Sequence, residues 1–254
     1  MILHQADFPY YTFQNLDRQE NIRHFVTSCR QGERGDVNLR NPLGAENRKR
    51  LATSVGFRIG TLTTGEQTHS FNIAVVNRSN AGNGNLSIDS RIPETDALIT
   101  DIHGICLMVL TADCQSVLLY DTEKHAIAAI HAGWRGTAGM IAVKTIEKMK
   151  LEFGTKPKNL IAAIGPCIGA CCFEVGQDVA EQFRQWPQSI MSKPEWERPH
   201  IDITRTNVQQ LIETGVAPEN IETSDVCTKC HPHDFFSHRY NQTLGRIGTG
   251  IELK

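Results

Sequence analysis

The sequence predicts an α/β (α+β) fold in a single domain, on three observations. Apolar runs of strand length, bounded by Gly or polar residues, recur along all 254 residues. Between them lie segments of helical character, several with a glycine just past the end. No linker, low-complexity stretch or internal repeat divides the chain, so residues 1–254 are expected to share one core.

The elements follow in order. Residues 22–27 read as a strand, and residues 31–36 (Gln-Gly-Glu-Arg-Gly-Asp) as a polar turn. Residues 42–56 begin with Pro42 and end with Gly56, the asymmetry that helices prefer. Residues 70–76, led by His69, are strand-like, and residues 77–89 are rich in Asn, Gly and Ser, as loops are. Residues 96–100 and 105–110 are further strands. Residues 138–150 predict a helix and residues 160–164 a buried strand, with a tight loop over 165–169. A helix is expected from Gln177 to residue 185, and another between Asp202 and Gly215. Residues 235–240 predict a turn with aromatic packing, and residues 246–253 a last strand.

The stretch from Thr111 to Gly136 organises the rest. Residues 117–120 and 126–130 suit strands buried on both faces. Asp121-Thr-Glu-Lys-His125 is a polar connection of hairpin length. A hairpin returns to the edge where it began, so Cys114 before the first strand and His131 after the second are expected as neighbours. Both can ligate metal. A strand on each side of Asp113-Cys114 implies a break between them. Gly133 and Gly136, around Trp134-Arg135, let backbone approach a bound group, and a helix start after a glycine turn favours an anion. Free Cys often only packs, and a His at a strand end is commonly a surface residue. Asp113, Trp134 and Arg135 are nonetheless costly beside buried strands, which favours a site.

The other cysteines read differently. Cys167, Cys171 and Cys172 match no zinc spacing, and adjacent Cys171-Cys172 are awkward joint ligands, so packing is expected. Cys227-Thr-Lys-Cys230-His231 matches a haem-attachment pattern and half of a zinc knuckle. Haem attachment requires export, the knuckle lacks a second ligand pair, and a redox pair belongs at a helix N-terminus. A packed or exposed thiol pair is therefore expected there.

Composition narrows the function. With 26 basic and 28 acidic residues the net charge is −2, which argues against nucleic acid. No apolar stretch is long enough to span a bilayer, and no signal peptide is visible, so a cytoplasmic protein with reduced thiols is expected.

Several stretches together resemble the multicopper-polyphenol-oxidase-like, laccase-domain family, whose members include bacterial purine nucleoside phosphorylases. They are Glu46-Asn-Arg-Lys-Arg-Leu51, Gln67-Thr-His69, Thr111-Ala-Asp-Cys114, His131-Ala-Gly-Trp-Arg-Gly136, Ile164-Gly-Pro-Cys-Ile168 with Cys172-Phe-Glu-Val-Gly176, and Cys227-Thr-Lys-Cys230 with Phe235-Phe-Ser-His-Arg239. They run in family order from residue 38 or so to residue 254. The resemblance implies one α/β domain layered α/β/β/α with mixed sheets. It implies a zinc site at His69, Cys114 and His131, three ligands that leave a fourth position open. It implies phosphorolysis of adenosine, inosine, guanosine or methylthioadenosine, with adenosine deaminase activity, in a monomer or weak homo-oligomer. The partners are then a purine nucleoside and phosphate. Where the family often has an Arg just after the first strand, this chain has Cys29, with Arg30 next to it.

On that basis zinc, which can bring a water to near-neutral pKa, suits deamination at C6. Arg135 is the candidate phosphate contact because its fork suits an oxyanion. Asp113 is the candidate for proton transfer or ligand orientation, and Trp134 for stacking or packing. Two rivals remain. One is a copper-dependent polyphenol oxidase, because N/S sites also bind copper. The other is a zinc-stabilised binding protein without turnover.

Overall fold

The computed structural model describes residues 1–30, 37–40, 44–242 and 245–254. The turn expected over 31–36 and the helix start at Pro42 lie outside them. Two six-stranded sheets form the centre. Sheet one comprises β1 (Ile2–His4), β2 (Tyr10–Thr12), β3 (Ile22–Thr27), β4 (Leu62–Thr64), β7 (Cys106–Thr111) and β14 (Ile247–Leu253), in the order β1-β2-β3-β14-β7-β4. Sheet two comprises β5 (Ile73–Val75), β6 (Ala97–Thr100), β8 (Gln115–Asp121), β9 (Ala126–Ala132), β10 (Leu160–Ile164) and β13 (Ile221–Thr223), in the order β13-β10-β8-β9-β6-β5. Both sheets are mixed: β4 runs parallel to β7, β10 to β13 and β5 to β6. A small ribbon pairs β11 (Ile190–Met191) with β12 (His200–Ile201).

Among the described residues the helices are α1 (Gln14–Asp17), α2 (Gly44–Val55), α3 (Trp134–Ala138), α4 (Ile141–Phe153), α5 (Gln177–Glu181), α6 (Ile203–Thr214) and α7 (His238–Asn241). Side-chain alternation explains how they stack. Along β8, Leu118 and Tyr120 enter the core between the sheets with Leu107, Val109 and Ile251. Val117 and Leu119 point the other way, onto Ile146 and Met149 of α4 and Leu211 of α6. On the far side of sheet one, Phe25, Cys106 and Met108 pack against Leu51 and Ala52 of α2. The result is the expected α/β/β/α layering, a mixed α/β single-domain fold. Strands buried on both faces cannot alternate with polar residues, which is why β8 and β9 read as continuous apolar runs.

Three elements differ from the sequence expectation. The helix expected over 138–150 is two helices, α3 and α4, split where Met140 takes the left-handed φ of 62°. The helix expected to residue 185 closes at Glu181. The turn at 235–240 buries Phe235 between the sheets, and then α7 starts, with the Ser237 hydroxyl accepting from the Tyr240 N–H. The short strands β1, β2, β4, β11, β12 and β13 carry no clear apolar run. The break at Asp113-Cys114 has a topological meaning: β7 belongs to sheet one and β8 to sheet two, so residues 112–114 carry the chain from one sheet to the other.

Candidate functional site

His69, Cys114 and His131 converge as the hairpin argument requires. Ser116 pairs with His131 and Gln115 with Ala132 across β8 and β9, which sets Cys114 beside the end of β9. His69 arrives from the loop before β5. The Gln67 side chain fixes that loop by hydrogen bonding β7 like a neighbouring strand: its Nε2 donates to the Leu110 carbonyl (2.7 Å) and its Oε1 accepts from the Leu110 N–H (2.8 Å). The His69 Nε2 and Cys114 Sγ are 3.7 Å apart, and the His69 and His131 rings meet edge to face at 5.0 Å. The three donor atoms lie within 4.8 Å of one another.

Two further residues show that the set fits a metal. The Asp96 Oδ1 is 2.6 Å from the His131 Nδ1, so Nε2 is the ring nitrogen left for a metal, the carboxylate–histidine arrangement common behind metal ligands. Asp96 also accepts from the Thr68, His69 and Ser70 N–H groups and from the Ser70 hydroxyl. One carboxylate therefore orients two of the three ligands. The second residue is Gly133, where a Cβ would stand 3.0 Å from His69 Cδ2 and 3.1 Å from Cys114 Sγ. A side chain there would occupy the space between the donors. Asp96 escaped the sequence reading because a single carboxylate before a strand has no periodic signature.

The electrostatics follow from these contacts. Burial works against ionising Cys114, but His131 and His69 outweigh it and bring the thiol down to about 6. Burial likewise opposes protonating His131, yet Cys114 and Asp96 hold it up at about 9. Asp96 resists its own burial through His131 and Ser70 and falls to about 2. These contacts favour a thiolate beside an imidazolium, and so a negative ligand for a metal.

These donors form one side of a cavity of 490 Å³, within the usual size of small-molecule sites. Its other walls include Arg40, Arg91, Arg239, Arg246, Phe173 and His238. Burial and the neighbouring Arg40 lower the pKa of Arg246, as expected of crowded cations. The site residues expected from sequence fall in two places. Asp113 lines the cavity in a left-handed conformation (φ 82°), and its carboxylate accepts from the Thr228 hydroxyl (2.6 Å) and the Arg239 N–H (2.6 Å). Arg135 does not line the cavity. Trp134 and Arg135 open helix α3, and the exposed Arg135 guanidinium lies 4.3 Å over the Trp134 ring. Trp134 itself packs beside Phe173 and Phe183. Cys29 is half-buried, its thiol donating to the Pro232 carbonyl and pushed up by burial to about 11. Arg30 pairs with Asp234.

One expectation is corrected. Cys171, Cys172, Cys227 and Cys230 are neither separate packed thiols nor half a knuckle: their four sulfurs lie within 4.8 Å of one another. The missing second pair comes from the loop after β10, joined to the 227–231 turn by a bridge at Cys167 and Cys227. Cys167 stays apart, buried against the Thr204 hydroxyl.

Comparison with known proteins identifies relatives of the chain. Residues 40–254 match the family described as multi-copper polyphenol oxidoreductase laccase. A purine nucleoside phosphorylase of Bacteroides thetaiotaomicron is 35% identical over 95% of both chains. Adenosine deaminase RL5, from an unknown prokaryotic organism, is 36% identical over 80% of this chain and 79% of its own. The crystal structure of YlmD from Geobacillus stearothermophilus superposes with a TM-score of 0.89 at 28% identity, covering 100% of this chain and 99% of that one. The chain is therefore a member of the multi-copper polyphenol oxidoreductase laccase family, with relatives named for nucleoside phosphorolysis and adenosine deamination.

Proposed function

We propose that the chain is a zinc-dependent purine nucleoside phosphorylase with adenosine deaminase activity, its residues 1–254 acting as one unit. The observation that carries this reading is the meeting of a His69/Cys114/His131 donor set and four arginines on one cavity. A bound zinc would supply Lewis-acid polarisation and an activated water for deamination. In phosphorolysis, a phosphate oxygen bonds to C1′ of the ribose as the bond to the purine N9 breaks, and the base leaves with the electron pair. Arg40, Arg91, Arg239 and Arg246 are the groups proposed to hold phosphate, as guanidinium forks suit it. Phe173 is a candidate apolar contact for the purine, and His238, also lining the cavity, is a candidate donor to the departing base. Asp113, with both oxygens engaged, acts as a positioning residue for Arg239.

The test is release of free base from adenosine, followed with and without phosphate, beside ammonia release. Base formation should require phosphate and yield a ribose phosphate. Phenol oxidation without nucleoside turnover, in metal-replete protein, would favour the copper reading instead. Absence of any turnover with zinc retained would leave a binding protein.

A further inference from the structure

We propose that Cys171, Cys172, Cys227 and Cys230 form a second metal centre, a closed structural zinc site distinct from the His69/Cys114/His131 set. The sulfur positions match a four-coordinate metal. A tetrahedral tetrathiolate with Zn–S bonds of about 2.3 Å has sulfur–sulfur edges of about 3.8 Å. Here the Cys230 sulfur is 3.7 Å from that of Cys171 and 3.5 Å from that of Cys172. All four sulfurs fall within 4.8 Å of one another. These separations are far above the ~2.05 Å of a disulfide.

The chemistry points the same way. Four thiolates and no open position are the donor set of structural zinc. A redox Cys-x-x-Cys would open a helix, but Cys227 and Cys230 sit in a turn, and α7 begins only at His238. That turn closes like half of a knuckle, with the His231 N–H donating to the Cys227 carbonyl.

The position gives the site a purpose. It ties the loop after β10, which lines the cavity with Ile168 and Phe173, to the turn before α7, which holds the cavity residue Asp113 through Thr228. Phe173 follows Cys172 directly and lines the cavity. Thr228, between Cys227 and Cys230, donates to Asp113, while the Ile168 N–H donates to the Asp113 carbonyl (2.9 Å). The Arg239 guanidinium reaches the Cys172 carbonyl at 3.5 Å. A metal here would staple together the cavity wall that fixes Asp113, next to Cys114.

The experiment is metal counting on the whole chain, purified under reducing conditions with zinc present. Wild type should hold about two zinc per chain, one for each donor set. Cys227→Ser/Cys230→Ser should hold one less, and Cys114→Ala should keep the four-cysteine metal. Replacing zinc with cobalt in Cys114→Ala should give intense thiolate-to-cobalt charge-transfer absorption. That arm leaves all four cysteines intact, so it decides the matter even if the double variant does not fold. Absence of metal and of that absorption in folded Cys114→Ala overturns the proposal, as does full metal retention in folded Cys227→Ser/Cys230→Ser. A single metal that survives Cys114→Ala but leaves with the cysteine pair upholds the second centre and removes the first.

Discussion

Asp96 concentrates more of the site in one side chain than any ligand does. It orients His131 and caps the backbone at Thr68, His69 and Ser70, so Asp96→Asn removes the charge and turns one of its two acceptors into a donor, facing either His131 and His69 or Thr68 and Ser70. Metal affinity at the first centre should fall roughly 10- to 100-fold, the cost common for partners behind metal ligands. Chelator competition measures this, and unchanged affinity would mean that His131 needs no orienting. The pH dependence follows from the same contacts. With His131 at about 9 and Cys114 at about 6, metal binding between those values displaces one proton, from His131. Below about 6 the thiol is protonated as well, so its proton must also be displaced. Apparent affinity should therefore fall about tenfold per pH unit from 9 to 6, and more steeply below. Calorimetry at pH 7.5 in buffers of different ionisation enthalpy reads the released proton directly; zero release would contradict the thiolate–imidazolium pair. Gly133→Ala should fold yet lose metal, since the methyl would stand among the donors.

Among elements, the β8–β9 hairpin was legible and α3 was not. Two apolar runs with a polar connection between them allow few arrangements, and they correctly made Cys114 and His131 neighbours. The left-handed Met140 that separates α3 from α4 leaves no mark in the residue pattern, so the helical stretch read as one segment starting later. The consequence falls on Arg135. Helix α3 is locked from behind: Thr137 donates to the Ala132 carbonyl and receives hydrogen bonds from Asn207 and Gln210 of α6. That lock holds Arg135 against Trp134 and outside the cavity wall. Arg135→Lys should therefore leave the phosphate requirement of phosphorolysis unchanged. Arg246→Lys should raise it about tenfold, near 1.4 kcal/mol, the weight of one lost charge-assisted hydrogen bond. A phosphate titration of both variants decides between them; the reverse order would return the anion contact to Arg135. The four-cysteine set was illegible for a different reason. Its pairs lie far apart in sequence, and only the pairing of the loop after β10 with the turn at Cys227 joins them.

At the scale of the whole molecule, the layering was what the family resemblance implied, and alternation and burial account for it in the structure; the order of strands was not legible. Which sheet receives each short strand depends on long-range pairing that no local pattern encodes. The two sheets share one core, and the ligand set sits where the chain passes between them. Metal binding should therefore stabilise the whole fold: a ligand at a hundred times its dissociation constant adds about 2.7 kcal/mol. Thermal denaturation before and after chelation tests this, and an unchanged midpoint would mean that the donors are equally well placed in the unfolded chain.

The position of β14 has a consequence for synthesis. It lies between β3 and β7 and pairs with both, so sheet one cannot close until residues 247–253 have been made. Every strand of sheet two, and all three ligands, are on the chain well before that. Nascent chains emerge N-terminal end first, and domains fold as their segments become available. The hairpin and its thiolate can thus assemble while β3 and β7 still present open edges toward each other. In that interval the unfinished molecule exposes the apolar inner faces of sheet one, and it is there, rather than at the metal, that a chaperone or an aggregating neighbour would first take hold.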